Sequence, residues 1–143
     1  MPSSPKRFYL DTAIWRDYFE DRSDGVRPIG EFAFRFLKNC EMRGCMVLYS
    51  EVVVHELKRD YSDEKIMQVF SSFSHFIELV PVSAGQYSEA EKLARIKKES
   101  HTSDILHAVI ARDSKAVLVT RDFHFETLRD IVDIKLPEEV IFG

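Results

Sequence analysis

Cysteine is scarce in this sequence, and long apolar runs are absent from it. Only two cysteines, Cys40 and Cys45, occur in 143 residues, and neither has a second Cys or His pair nearby. A structural zinc site needs closely paired ligands, so this spacing argues against one. We expect both thiols to be reduced and packed inside the fold.

No apolar stretch in the sequence approaches the roughly 20 residues that a membrane-spanning helix requires. The N-terminal segment MPSSPKRFYLD lacks the apolar region of a secretory signal, because Asp11 interrupts it. These absences favour a cytoplasmic protein without a membrane partner.

An excess of positive charge is also missing, since the net charge is −4. Nucleic-acid-binding domains usually show a basic face, and short clusters such as Lys58-Arg59 are more typical of solvated helix surfaces. An acidic chain can still contact phosphate when a bound metal ion supplies the positive charge. The length and the 45% hydrophobic content suit a single domain over residues 1–143.

Apolar runs and amphipathic segments alternate along the chain. The apolar runs predict strands at 7–10, 45–49, 76–80, 116–120 and 131–136. The helical periodicity predicts helices at 12–20, 29–43, 51–60, 63–75, 83–99 and 104–113, with a short helix over 121–130. This alternation predicts an α/β fold, a three-layer αβα sandwich with a mainly parallel central sheet.

Carboxylates follow two of the predicted strands directly. Asp11 ends the first strand, and Asp122 lies two residues beyond Thr120 at the end of the fourth strand. Functional sites of open parallel sheets form at the carboxyl ends of strands. Glu56 lies on the helix after the second strand, and Asp104 opens an apolar helix, which we expect to be buried with Asp104 facing a cleft.

Each of these acids has an ordinary structural interpretation when it is considered alone. An Asp at a helix start caps free amides, and a lone Glu such as Glu56 is most often a surface residue. Together they could share a pocket, where they would repel one another and raise their pKa values. A divalent cation removes that cost, and ligands that are all oxygen favour Mg²⁺ or Mn²⁺.

Four short motifs, FYLDT, SEVVVHEL, SDILHAVIA and LVTRDFHF, occur in this order over nearly the whole chain. In this set the sequence resembles the PIN-domain family, a nuclease fold found in the toxins of many toxin–antitoxin modules and in RNA-processing factors. The resemblance implies an αβα sandwich, a Mg²⁺ or Mn²⁺ site and metal-dependent ribonuclease activity. It also implies an RNA substrate, a homodimer and an antitoxin protein as a partner.

The resemblance assigns catalysis and metal binding to Asp11, Glu56, Asp104 and Asp122. One or two metal ions would bind a phosphate oxygen and lower the pKa of an attacking water. Glu51 competes with Glu56 as the second acid, although a capping role suffices for Glu51. Some relatives carry the fourth acid three residues after the Asp122 position, where this chain has Phe125.

Three further side chains are expected to contact the substrate, namely Thr12, Thr120 and Arg121. The two threonines match hydroxyl positions that the family often has beside its first and last acid. Arg121 is a candidate phosphate contact. His107 and His124 follow the acids closely, but packing or exposure is the more typical role for such histidines.

Alternative functions stay open. A PIN-like scaffold could bind RNA or a protein without cleaving, although it would have no need of the four acids. A haloacid-type phosphatase would need a second Asp where Ala13 stands, and a receiver module would need an early acidic pair.

The aromatic content favours self-association as a two-fold dimer, because a small core cannot readily absorb so many rings. Of these rings, which include Trp15, Phe32, Phe34, Phe36, Phe70, Phe73 and Phe76, we least expect Phe34 and Phe70 to be fully buried in a monomer.

Overall fold

The computed structural model describes residues 5–23, 25–98 and 100–142 of the chain. Its strands are β1 (Arg7–Leu10), β2 (Met46–Ser50), β3 (Ile77–Val80), β4 (Val117–Val119) and β5 (Ile134–Lys135). Its α-helices are α1 (Thr12–Glu20), α2 (Ile29–Arg43), α3 (Glu51–Leu57), α4 (Asp63–Ser72), α5 (Ala84–Ile96), α6 (Thr102–Asp113) and α7 (Pro137–Ile141). A 3₁₀ helix spans Phe123–Leu128.

The strands form one sheet in the order β3-β2-β1-β4-β5, and all of its pairings are parallel. The chain winds outward from β1 to β2 and β3, and then crosses back to β4 and β5 on the other side of β1. Connections between parallel strands are right-handed. The helices that follow β1 and β2 therefore cover one face of the sheet, and those that connect β3 to β4 cover the other. The predicted three-layer αβα sandwich is therefore confirmed, with a sheet that is wholly parallel.

The core is centred on β1, where Phe8, Tyr9 and Leu10 are buried, and on α6, where every residue from Ile105 to Ala111 is buried. Strands covered on both faces read as continuous apolar runs, which is why the sequence located them well. The structure shows no helix in its described residues that is long and apolar enough to cross a membrane.

Aromatic residues fill this core more fully than the sequence suggested. Phe34 is 41% exposed as expected, but Phe70 is only 8% exposed, so the expectation for Phe70 is wrong. The Phe70 ring packs against Trp15 and Tyr49, with centroids 4.7 Å and 4.6 Å away. Eight of the 17 aromatic residues are buried and only four are exposed, so aromatic content alone does not support a dimer.

Several element boundaries differ from the prediction. Helix α6 begins at Thr102, two residues earlier than predicted, and His101 occupies its N-cap position. The helix predicted over 83–99 ends at Ile96, and its last predicted residue, Glu99, lies outside the described residues. Helix α7 was not predicted, because its few residues give too little periodicity.

The two cysteines are free thiols, as expected, with Cys40 buried and Cys45 partly buried. Burial raises the pKa of the Cys40 thiol above its ordinary value, which keeps it protonated and unreactive.

Candidate active site

The reversal of winding direction at β1 and β4 creates a crevice at one edge of the sheet. The two strands are neighbours, with Leu10 opposite Val119, and the connections leave them in opposite directions. Open α/β sheets bind ligands at such a point, outside the carboxyl ends of the strands. Asp11 directly follows β1 here, and Asp122 follows β4.

Asp11 is held rigidly at the start of this crevice. Its amide donates a hydrogen bond of 3.0 Å to the Val119 carbonyl, which extends the β1–β4 ladder by one residue. Its Oδ2 accepts a hydrogen bond of 3.0 Å from Thr120 Oγ1, which in turn accepts one of 3.1 Å from the Asp122 amide. Thr120 therefore fixes the positions of both acids relative to each other.

The environment of Asp11 disfavours its negative charge. The residue is only 7% exposed, and this burial is the main reason why its pKa is raised to about 6. The charges of Asp104 and Glu56 raise the pKa further, whereas His107 and the Thr120 hydrogen bond oppose the rise. The protein therefore holds a carboxylate here at a cost in free energy.

Asp104 occupies the first turn of α6 and is partly buried. Burial raises its pKa, and the negative charge of Asp122 raises it further. No hydrogen bond or ion pair joins its carboxylate to any residue that the structure describes. This acid is consequently available to a ligand.

Glu56 reaches the cluster from α3 and is fixed by two donors. The buried His107 places Nε2 2.6 Å from Glu56 Oε1, and Thr12 Oγ1 donates a hydrogen bond of 3.1 Å to the same oxygen. On the other side of the ring, Nδ1 lies 2.7 Å from the Tyr9 hydroxyl, which lies 2.8 Å from Ser50 Oγ. A continuous chain of hydrogen bonds thus runs from β2 through β1 and α6 to Glu56.

The two members of the His107–Glu56 pair shift in opposite directions. Burial opposes the charge on each, but their hydrogen bond and attraction outweigh it, so the pKa of Glu56 is lowered. Burial also opposes protonation of His107, yet Glu56, Asp11 and Asp104 together raise its pKa. A protonated ring donates from both nitrogens, to Glu56 and to the Tyr9 oxygen, which leaves the Tyr9 proton for Ser50.

The remaining predicted site residues have partners within the chain. Thr12 and Thr120 donate to Glu56 and Asp11, so both position acids of the cluster. Their predicted contact with substrate stays a prediction. Phe125, where some relatives carry the fourth acid, is buried in the core.

Arg121 was predicted to contact phosphate, which also stays a prediction. Its guanidinium forms a two-pronged ion pair with Glu138, and the Arg121 side chain is only 12% exposed. Glu138 belongs to α7, the helix that the sequence did not predict. Binding of substrate by Arg121 would require this pair to open.

The donor set fits a divalent cation in its chemistry. Asp11, Asp104 and Asp122 offer hard oxygen ligands. Burial and, after it, neighbouring negative charge raise the pKa values of Asp11 and Asp104, and a bound cation would offset both effects. In the arrangement observed, no three acidic, His or Cys side chains among the described residues are close enough to share an ion.

Sequence reasoning missed the part that His107, Tyr9 and Ser50 play. Ser50 occupies the N-cap position of α3, but its hydroxyl bonds Tyr9 and forms no capping hydrogen bond. A usable signal was present, since His107 is the one ionisable residue between Ile105 and Ala111, a wholly buried stretch. A histidine in such a position needs hydrogen-bond partners.

Comparison with known proteins agrees with this architecture. The family model described as PIN domain matches residues 8–131, a span that includes all four acids. No curated protein matches the chain significantly in sequence.

Solved structures of similar fold exist. VapBC2 from Rickettsia felis, bound to a DNA fragment from its promoter, has a TM-score of 0.68 at 18% identity, covering 91% of this chain and 98% of that one. FitAcB from Neisseria gonorrhoeae has a TM-score of 0.64 at 18% identity, covering 91% and 97%. DNA-bound VapBC from Salmonella typhimurium has a TM-score of 0.64 at 18% identity, covering 92% and 98%. At these identities the similarity establishes a common fold.

Proposed function

The chain belongs to the PIN domain family, and we propose that it is a metal-dependent endoribonuclease that hydrolyses RNA phosphodiester bonds. The observation that carries the proposal is the cluster of Asp11, Asp104 and Asp122 around the switch point of the sheet, with Glu56 fixed beside it. Carboxylates that lie buried or partly buried beside one another are costly to the fold, so their presence is best explained by a cationic ligand.

Asp11 and Asp104 would hold the metal ion, and Asp122 would complete its ligands. When bound, Mg²⁺ or Mn²⁺ supplies Lewis-acid chemistry, because it polarises a phosphate oxygen and makes a water more acidic. Asp11 is pre-positioned for this by the β1–β4 ladder and by Thr120, so binding costs it little side-chain entropy.

Glu56 has a different role in this proposal. His107 and Thr12 both engage its Oε1, which leaves Oε2 free of described hydrogen bonds. We assign Oε2 to orienting the attacking water and accepting its proton. His107 would keep the carboxylate in place and stabilise its ionised form.

A toxin of a toxin–antitoxin module is the biological role that we propose. The similar solved structures are toxin–antitoxin complexes, which supports an antitoxin protein as the partner of this chain. A small reading frame next to this one that encodes a DNA-binding motif would support the pairing. We also propose a homodimer, which light scattering at high micromolar concentration would test, with a monomeric mass counting against it.

The alternative is a catalytically weak scaffold that binds RNA or protein. The observation in its favour is that no three described carboxylates already converge on a single ion position. Cleavage of single-stranded RNA that requires Mg²⁺ or Mn²⁺ and stops in EDTA would support the nuclease. Metal binding without cleavage of a broad RNA panel would favour the scaffold.

A further inference from the structure

Two cavities open beside the acidic cluster, on opposite sides of it. One, of about 780 Å³, lies on the β2 side and is lined by Glu56 itself. The other, of about 300 Å³, lies on the β5 side and is lined by Thr120 and Asp122. A linear polymer that crosses the cluster could therefore place the segment on each side of the crossing point in one of the two cavities.

The larger cavity contains an aromatic ring and available positive charge. Tyr87, from α5, lines it and is 43% exposed. Arg59 is exposed and forms no ion pair with any described residue, whereas Lys58 has only Asp63 at 3.8 Å. Arg59 also lowers the pKa of Glu56 through its charge, which places the guanidinium within electrostatic reach of the cluster.

The larger cavity also contains carboxylates, namely Glu51 and Glu56. The charge of Glu56 is compensated by His107, so Glu51 is the acid that opposes Arg59 and Lys58 there. The hydroxyls of Thr102 and Ser103 line the wall nearest Asp104 and bond to no other described residue.

The smaller cavity presents a second aromatic ring. Phe123 directly follows Asp122 and is 74% exposed. One face of its ring stacks on His124, with centroids 4.3 Å apart and an interplanar angle of 29°. His124 is itself tied to Asp122 by its ring and its amide, at 2.8 Å and 2.9 Å from Oδ1, so the Phe123 ring is pre-positioned with its other face open.

We propose that single-stranded RNA lies across the acidic cluster, with one base stacked on Tyr87, another on Phe123, and a backbone phosphate on Arg59. This inference rests on the proposed function in naming RNA. Exposed aromatic rings bind unpaired bases, whose faces are free, and a duplex hides those faces. The scissile phosphate then lies between two held flanks, so the cut is internal.

The first test measures binding of a fluorescent, cleavage-resistant phosphorothioate single-stranded RNA in Mn²⁺, with each aromatic variant compared with the wild-type background. Tyr87→Leu and Phe123→Leu should each raise Kd by roughly 5- to 100-fold, as expected for one stacked base. Tyr87→Phe and Phe123→Tyr should retain binding. Phe34→Leu, which removes an exposed ring elsewhere, is the matched control and should change nothing.

The second test replaces the cation. Arg59→Gln should reduce the slope of log Kd against log salt by about 1, which is the loss of one phosphate contact. Arg43→Gln removes an exposed charge at the opposite edge of the sheet, before β2, and should leave the slope unchanged. Thermal melts of every variant show whether it is folded.

Stacking itself is measured with RNA that contains 2-aminopurine, a base whose fluorescence is quenched when it stacks. Quenching that disappears with Tyr87→Leu or Phe123→Leu and persists with Phe or Tyr supports the proposal. In the otherwise wild-type chain, the Leu variants should raise KM for cleavage and change kcat little.

The proposal falls if the RNA does not bind, or if the Leu variants bind and quench as tightly as the background protein. It also falls if wild type cleaves RNA and the Leu variants have the same KM as wild type. In that case the proposed ribonuclease activity still stands. Binding that depends on Tyr87 and Phe123 without any cleavage by wild type would support the path of the strand and overturn the proposed catalysis.

Discussion

The imidazole of His107 lies directly between Glu56 and Tyr9, with Nε2 2.6 Å from Glu56 Oε1 and Nδ1 2.7 Å from the Tyr9 hydroxyl. The ring is almost wholly buried, so both contacts form where water cannot replace them. This relationship fixes one carboxylate of the proposed site to the central strand of the sheet.

The first prediction concerns this connection. His107→Leu removes the partner of two buried groups and should lower the free energy of unfolding by about 1–3 kcal/mol for each group left unsatisfied. Ser50→Ala removes only the terminal hydroxyl of the chain of bonds, and Tyr9 keeps His107 as a partner, so this variant should cost less. Urea denaturation of the variants measures both, and a His107→Leu protein as stable as wild type would contradict the assignment.

The second prediction separates metal binding from folding. Asp104→Asn removes a carboxylate whose pKa is raised by burial and by Asp122. The metal-free variant should therefore melt roughly 2–4 °C higher than wild type. Calorimetric titration with Mn²⁺ should give heat with wild type and none with an Asp11→Asn, Asp104→Asn double variant. Equal heats from the two proteins would show that the metal lies elsewhere.

The third prediction follows from the pKa of Asp11, which is raised from 3.8 to about 6. A raised pKa means that the folded state favours the protonated acid, so its contribution to stability is present at low pH and is lost as the pH rises through about 6. In EDTA, the stability of wild type relative to Asp11→Asn should fall by up to about 3 kcal/mol between pH 4 and pH 7.

Denaturation of both proteins across that pH range measures this difference, since the titrating groups that lie far from Asp11 cancel between them. A difference that stays flat, or that rises with pH, would contradict the buried and repelled state of Asp11.

The fold was predictable because its signals are local. The strands of a parallel sheet are apolar throughout. Asp11 and Asp122 come at or just after the ends of two such apolar runs, so the sequence placed both acids at the sheet edge. The site network was not predictable in this way. Tyr9 and His107 are 98 positions apart in sequence, and no local pattern shows that β1 and α6 bring them together.

Arg121 illustrates the same limit from the other direction. Its position after β4 suggested a free cation near phosphate, but the partner Glu138 comes from a helix too short to be recognised by periodicity. Phe70 was misjudged for a similar reason, since its burial depends on Trp15 and Tyr49 from distant elements.

The fourth prediction tests the role of Arg121. If the Arg121–Glu138 pair is structural, Arg121→Gln and Glu138→Gln should both lower stability, by about 1–3 kcal/mol, because each leaves a partly buried charge unpaired. Cleavage by the folded fraction of each variant should keep the wild-type KM. A KM that rises for Arg121→Gln and not for Glu138→Gln would instead support the predicted contact between Arg121 and phosphate.

The most direct test of the central claim compares wild type and Asp104→Asn on single-stranded RNA, in Mg²⁺ or Mn²⁺ and in EDTA, with thermal melts alongside. Without metal the clustered carboxylates repel an RNA phosphate, whereas a bound cation inverts the local charge. The account predicts cleavage by wild type that is lost in EDTA and largely lost in Asp104→Asn, with the variant fully folded. Equal cleavage by both proteins would contradict it.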